Sequence, residues 1–275
     1  MMKSKITGGK TNYLFTARLL SKYEVKYYQC EETGFIQTEE PYWLKEAYEA
    51  AIVALDVGLA MRNESLVADT QKILLKYFRD ARLFVDFGGG YGQFVRMMRD
   101  RGFNFFLFDE YAENLYARFF SVTADELATN KYDLITSFEV FEHLVDPMDT
   151  LQQLMNSSDS ILFSTELASR VKYQSASDWW YFVPEIGQHI SFHTQDSLEY
   201  MAQKMGARLY TNGKNLHLIT RKQLATNPFD YLKSFQRFEK WQRFIAKLPH
   251  KWHGNPKMKS LLGADSDYIK SKLLP

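Results

Sequence analysis

The 275-residue chain contains a single cysteine, Cys30. That count excludes an internal disulfide framework and any metal site built from several thiolates, and it fits a reducing compartment. Long apolar runs are also missing. No stretch approaches the ~20 residues that a membrane-spanning helix needs. The opening Met-Met-Lys-Ser-Lys-Ile-Thr-Gly-Gly is basic but has no hydrophobic segment after it. A secretory signal is therefore not expected, and a cytoplasmic protein is. Nor does one sign of charge dominate, since the formal net charge is +1. That balance conceals an asymmetry: residues 221–275 hold twelve Lys and Arg against four Asp and Glu, or +8, leaving −7 on residues 1–220. An acidic body argues against a broad nucleic-acid surface, so nucleic acid is not the expected partner. An apolar share of 45% and a charged share of 24% suit one large globular domain, or one domain with a smaller appendage.

What the chain does contain is Leu83-Phe-Val-Asp-Phe-Gly-Gly-Gly-Tyr-Gly-Gln, an apolar run opening into a glycine-rich turn. Residues 82–87 have the aromatic and β-branched content of a buried strand. From Gln93, the spacing of Phe94, Val95, Met97 and Met98 predicts an amphipathic helix, so the glycines occupy a strand-to-helix junction. Gly88, Gly90 and Gly92 let the backbone turn tightly and approach a ligand. A dinucleotide fingerprint starting at Gly88 would require glycine at position 93, where the chain has Gln93. Asp86, two residues before the first glycine, would repel a pyrophosphate and attract a cationic amine. The next expected strand ends in Asp109 and Glu110, which can accept hydrogen bonds from ribose hydroxyls. An amine, a ribose and no phosphate describe S-adenosylmethionine. On these residues the chain resembles the class I S-adenosylmethionine-dependent methyltransferases. The cofactor contacts expected from this reading are Asp86, Gly88, Gly90, Tyr91, Gly92, Asp109, Glu110 and Phe138.

The alternation of elements agrees with that resemblance. Strands are expected at 84–87, 105–108, 121–123, 134–138 and 161–165, with helices between them, including 148–155. Residues 207–211 and 216–220 read as two strands joined through Asn212-Gly213. A closing antiparallel hairpin is what the resembled fold has as its last two strands. The fold class is therefore α/β, a Rossmann-like doubly wound sheet with an antiparallel last strand and helical extensions at both ends. Residues 41–80 read as helical, with Tyr42, Trp43, Ala47, Ala50, Ala51, Ala54 and Leu55 at helical spacing and a second helix at 66–78. Upstream, Tyr27-Tyr-Gln-Cys30-Glu-Glu-Thr-Gly34-Phe35 resembles half of a zinc-ribbon knuckle whose second cysteine is gone. A small β-hairpin with the ribbon's shape and no zinc is expected there. The domain plan is an N-terminal cover (1–65), a cofactor-binding domain (66–222) and a basic tail (223–275). In the tail, Phe229, Leu232, Phe235, Phe238, Trp241, Ile245 and Leu248 recur at helical steps. Such a helix packs on the body or on a second copy of the chain, covers the substrate, or lies on a membrane surface. Packing, including a homo-oligomer formed through the tail, is the expectation carried forward.

The reactive chemistry is expected after the strand at 134–138, in Thr136-Ser-Phe-Glu139-Val-Phe-Glu142-His143-Leu-Val-Asp-Pro147. Open α/β sheets bind ligands at this carboxyl edge. On a helical turn, Glu139, Glu142 and His143 share one face. Two carboxylates and an imidazole there make a divalent-metal site, an acid/base cluster or a purely structural group. The Glu-x-x-Glu-His pattern resembles small-RNA 2′-O-methyltransferases and quinone-precursor O-methyltransferases. In the former a later histidine completes a magnesium site. His189, in Pro184-Glu-Ile-Gly-Gln-His189-Ile-Ser-Phe-His193, is the candidate here. The expected metal set is Glu139, Glu142, His143 and His189, binding magnesium, manganese or zinc. The expected catalytic set is His143, His189 and Glu142. The aromatic block Asp178-Trp-Trp-Tyr-Phe before that histidine would offer flat faces for sugar rings. Together with the segment to Phe192 it resembles a bacterial methyltransferase family associated with sugar modification, which often carries a zinc-ribbon-like N-terminus. The expected activity is O-methylation of a hydroxyl on a sugar or similar polar metabolite. Methylation of an RNA 3′ end and non-catalytic cofactor binding are the alternatives.

Overall fold

The structure, a computed structural model, describes residues 2–48, 58–169, 171–235, 261, 264 and 268. Near the N-terminus, β1 (Thr11–Leu19) and β2 (Tyr23–Cys30) pair antiparallel, with a register shift between Tyr13 and Phe15. Leu20 and Ser21 make the turn in the left-handed region at φ 51° and 55°, a conformation that costs a non-glycine residue about 1 kcal/mol. β3 (Ile36–Thr38) extends the sheet beyond β2. The expected hairpin is thus part of a larger sheet, and its outer strand arrives from far along the chain. Of the helix expected over 41–55, α1 (Leu44–Ala47) is present, while Ala50, Ala51, Ala54 and Leu55 lie outside the described residues.

α2 (Leu59–Tyr77) starts well before the expected residue 66. Its first turns bury nothing, the buried positions being Val67, Thr70, Ile73 and Leu74. Hydrophobic periodicity is therefore silent over the part that lines the central cavity. Beyond α2 the chain alternates β4 (Phe84–Phe87), α3 (Gln93–Asp100), β5 (Phe105–Phe108), α4 (Ala124–Thr129), β6 (Leu134–Phe138), α5 (Pro147–Ser157) and β7 (Ser160–Ser164). The short β8 (Ser191–Phe192) pairs with β3 and completes the N-terminal sheet in the order β1-β2-β3-β8. α6 (Gln195–Lys204), β9 (Arg208–Thr211) and β10 (Leu216–Thr220) follow.

The second sheet has the order β5-β4-β6-β7-β10-β9. β5, β4, β6 and β7 are parallel, and β10 runs antiparallel to both β7 and β9. This is the expected Rossmann-like sheet with its antiparallel last strand. The strand expected at 121–123 is not formed. Ser121 makes one isolated bridge to Leu107, and Thr123 instead caps α4 in a capping box with Glu126. A Thr-x-x-Glu cap satisfies orphan helix amides, so the same residues cannot also continue a strand.

Alternation along the parallel strands separates two cores. Phe84, Leu134 and Leu162 pack with Val67, Phe94 and Met98 on one face, and Val85, Ile135 and Ile161 with Leu151, Phe141 and Met201 on the other. The first described turns of the tail join the first core. Residues 228–235 are helical, Phe229 and Leu232 are buried in that core, and the Thr226 and Tyr77 hydroxyls are 2.8 Å apart. Lys76 Nζ lies 3.6 Å from the centroid of the Tyr231 ring, and Lys72 covers Phe235. Phe238, Trp241, Ile245 and Leu248 lie outside the described residues. Phe229→Ala is expected to destabilise the fold by about 3–5 kcal/mol in urea denaturation, the usual cost of emptying a buried phenylalanine site. An unchanged midpoint would separate the tail from the core. Among the described residues no helix is long and apolar enough to cross a membrane.

Candidate active site

A cavity of about 1300 Å3 opens at the carboxyl ends of β4, β5 and β6 and is also lined by α1, the start of α2 and residues between 180 and 189. Parallel sheets leave a crevice where adjacent connections depart in opposite directions, here between β4 and β6. The glycine loop after β4 forms one wall. Gly88, Gly90 and Gly92 have φ of 72°, 58° and 82°, values that glycine adopts without strain. A side chain at Gly88 would meet Val140 Cγ2 at 2.6 Å. Gly92 does not line the cavity; it is the N-cap of α3, packed against Asn114.

Behind the loop, Asp86 is buried and its Oδ1 accepts a 2.6 Å hydrogen bond from Thr136 Oγ1. Burial pushes its carboxyl up to about 7; the Thr136 hydrogen bond opposes that rise and the Asp109 charge adds to it. At the end of β5, Asp109 Oδ2 accepts from Gly90 N, and Oδ1 accepts from Tyr111 N and Ala112 N, each at 2.8 Å. An ionised carboxylate has about four acceptor positions, so Asp109 is held rigidly with little spare capacity. Glu110 is exposed beside it on the cavity wall. Tyr91 and Phe138 also line the cavity, Phe138 packing edge-on against Phe94.

Across the cavity, Glu142, His143 and His189 bring one ligand atom each within 4.8 Å of one another. The two imidazole centroids are 4.9 Å apart. His143 Nδ1 lies 3.0 Å from Gln188 O, and His189 Nδ1 lies 2.7 Å from Tyr181 O. A carbonyl only accepts, so both Nδ1 atoms carry the proton and both Nε2 atoms keep a lone pair. Burial holds the His143 ring down to about 4. Burial, then the neighbouring His143, holds His189 down to about 3. Both are neutral at pH 7. Glu142 is fully buried, and neither carboxylate oxygen has a hydrogen-bond partner among the described residues. Burial and the nearby Glu139 push it up to about 8. The Tyr181 and Thr165 hydroxyls lie close enough to favour its charge, yet fall short of hydrogen-bond geometry.

Glu139 is not part of this cluster, which corrects the expectation of a shared helical face. Only Phe141–His143 form a helical turn, of the 3-10 type. Glu139 precedes it with φ 56°. Its Oε1 accepts from Ser164 Oγ at 2.6 Å, its backbone N donates to the same oxygen, and Arg62 stands 3.9 Å from Oε2. A left-handed residue breaks the i, i+3 relation on which the shared face depended.

Residues 60–212 match the family described as a methyltransferase domain, more than half of the chain. The chain belongs to this methyltransferase domain family. No curated protein matches it in sequence. Similar solved structures include TnmH (18% identical over 66% of this chain and 62% of that one, TM-score 0.48) and the mitomycin 7-O-methyltransferase MmcR (16%, 66%, 60% and 0.45). A third is the O-methyltransferase NcsB1 from neocarzinostatin biosynthesis, in complex with S-adenosyl-L-homocysteine and 1,4-dihydroxy-2-naphthoic acid (13%, 66%, 61% and 0.46). The chain spans about three fifths of the length of these relatives.

Several residues of the methyltransferase site carry no signal in the sequence. A Cβ on Gly89 would stand 2.2 Å from Asp86 Oδ2, so this glycine is needed as much as its neighbours. Thr136 reads as a strand residue and yet anchors Asp86. Tyr48, just after α1, stacks on Tyr111 at 5.0 Å and meets His143 edge-on at 6.2 Å. Only the fold brings these aromatics from distant segments to one wall.

Proposed function

We propose that this methyltransferase uses S-adenosylmethionine to methylate a hydroxyl oxygen of a sugar or similar polar metabolite, with Glu142, His143 and His189 holding a divalent cation beside the acceptor. The observation that carries the reading is the pairing of two Nε2 lone pairs with a buried, unpartnered carboxylate. Histidine ligands characteristically donate the other ring N–H to a carbonyl or carboxylate, and a buried carboxylate left without partners is costly. Two imidazoles and one carboxylate suit manganese, zinc or a related divalent ion. S-adenosylmethionine would supply an electrophilic methyl group, and the cation Lewis acidity that lowers the pKa of an acceptor hydroxyl.

The chain's own residues would do the rest. The Asp86 carboxylate pairs with the methionyl ammonium, and the glycine loop gives the cofactor close backbone approach. Asp109 and Glu110 share the ribose hydroxyls. Trp180, 70% exposed on the cavity wall beside Tyr181, offers a face to a sugar ring. With basicities this depressed, His143 and His189 are weak proton acceptors at neutral pH, which favours the ligand role over that of a free base.

The test is chelation. Dialysis against a chelator should suppress turnover of labelled S-adenosylmethionine with a nucleotide-sugar and glycan panel, and added Mn2+ or Zn2+ should restore it. Full activity after exhaustive chelation would remove the cation from the reading. A second expectation concerns pH. With Asp86 near 7 in the free protein, cofactor binding must expel its proton below that pH. Affinity should therefore rise with pH, about tenfold per unit, and level off above pH 7. Asp86→Asn should bind more weakly and without this slope. A flat wild-type profile in calorimetry would defeat the assigned ammonium partner.

A further inference from the structure

We propose that the N-terminal segment, its sheet together with Trp43 and α1, is a clamp for the histidine pair, with Trp43 and Gln188 as positioning residues that fix the Nδ1–H tautomer of His143. The importance of that tautomer to turnover rests on the cation reading above; the clamp itself rests on geometry. Residues 184–190, which lead to His189, contain no helix or strand of their own. Ile190 N donates to Glu142 O at 2.9 Å, and the other long-range backbone ties of the segment come from the N-terminal segment. Leu20 N, in its strained turn, donates to Pro184 O at 3.0 Å, and Thr38 N donates to Ile190 O at 3.0 Å. The fully buried Trp43 donates from Nε1 to Gly187 O at 2.8 Å. Gly187 has φ 64°, and a Cβ there would crowd Leu20 and Trp43 at 3.1 to 3.4 Å.

Gln188 makes the connection to the site. Its side-chain Nε2 donates to Ala47 O at 2.7 Å, fastening it to α1. Its backbone oxygen accepts the His143 Nδ1–H. The next residue is His189, whose own Nδ1–H goes to Tyr181 O. One buried amide thus ties the N-terminal segment to the proton position on His143. Strands β1, β2 and β3 lie outside the matched residues 60–212, while β8 lies within them, and the chain lacks the thiolates for zinc. Holding residues 184–190 gives these three strands a role that needs no zinc. An imidazole released from its carbonyl exchanges tautomers, and the Nε2–H form turns a proton instead of a lone pair toward the site.

The test uses full-length Gln188→Leu and Trp43→Phe, each keeping the apolar bulk and removing the N–H donor. In metal-free protein, 15N-detected imidazole spectra of the wild type should show the Nδ1–H tautomer at both histidines, and the variants a tautomer mixture at His143. Mn2+ affinity, followed by water proton relaxation, should fall about 10- to 100-fold. Affinity for S-adenosylmethionine should not change, and kcat should fall with little change in its KM. Folded variants with the wild-type tautomer and wild-type Mn2+ affinity would overturn the clamp. A wild type that binds no Mn2+ but shows fixed tautomers that loosen in the variants would sink the cation reading and keep the clamp. Trp43→Phe retains an aromatic ring and decides the matter if Gln188→Leu fails to fold.

Discussion

Glu142→Ala is expected to abolish divalent-cation binding and to lower kcat on the order of a thousandfold, with cofactor affinity unchanged. The size follows from the several kcal/mol that Lewis-acid stabilisation contributes. Selectivity follows from position, because Glu142 is on the turn after β6 and Asp86, Asp109 and the glycine loop are on β4, β5 and their ends. The substitution also has a stability signature. A buried carboxyl raised from 4.5 to about 8 binds more protons in the folded state than in the unfolded one. Stability of the cation-free protein should therefore fall as pH rises through that interval. Asp86 contributes the same sign only up to about 7. The lowered histidines contribute the opposite sign, and only below about 6.5. Between about pH 7 and 8, Glu142 is thus the dominant contributor among these groups. Thermal denaturation in chelator should show a declining midpoint there for the wild type and a flatter one for Glu142→Ala. Equal slopes, or an active variant, would remove Glu142 from the centre of the site.

Gly89→Ala is expected to eliminate measurable S-adenosylmethionine binding in a protein that still folds. The added methyl would lie 2.2 Å from Asp86 Oδ2, 2.9 Å from its Cγ and 2.6 Å from Leu107 Cδ1. No real Cβ tolerates such distances, so the Asp86 carboxylate must swing off its 2.6 Å bond to Thr136. Overpacking of this kind costs about 1–3 kcal/mol of stability, which a domain with two cores survives. The cofactor loses its ammonium partner and part of the loop's close approach at once. Calorimetric titration gives the answer directly. A variant that binds normally would mean that the loop relaxes without disturbing Asp86, and would shift recognition onto Asp109 and Glu110.

The two substitutions differ in how visible their sites are in the sequence. The glycine loop is a local object. An apolar strand, a carboxylate and glycines that permit positive φ all lie within a dozen residues, and each depends on its immediate neighbours. The alternation of strands and helices was legible for the same reason, because each element is marked by its own periodicity. Glu139 shows where local reasoning stops. Its spacing to Glu142 suggests one face, but Ser164 on a neighbouring strand captures both its carboxylate and its amide, and a pairing across strands has no periodic signature. Thr123 was lost to a strand reading because its capping box and a strand end use the same residue types.

The sequence by itself determined the α/β class, the cofactor-side loop and the residue types available for chemistry, since these follow from periodicity, backbone freedom and charge over short spans. Only the tertiary structure decided which of those residues meet. It set Glu142 apart from Glu139, brought His189 to His143, and fastened residues 184–190 to an N-terminal sheet through Leu20, Thr38, Trp43 and Gln188. It also fixed the proton on each imidazole, by presenting Gln188 O and Tyr181 O to the two Nδ1 atoms. The reason is physical: hydrogen-bond partners and burial are properties of the folded neighbourhood, and both are set by residues far apart in the chain, such as Ala47 and Gln188, 141 positions apart.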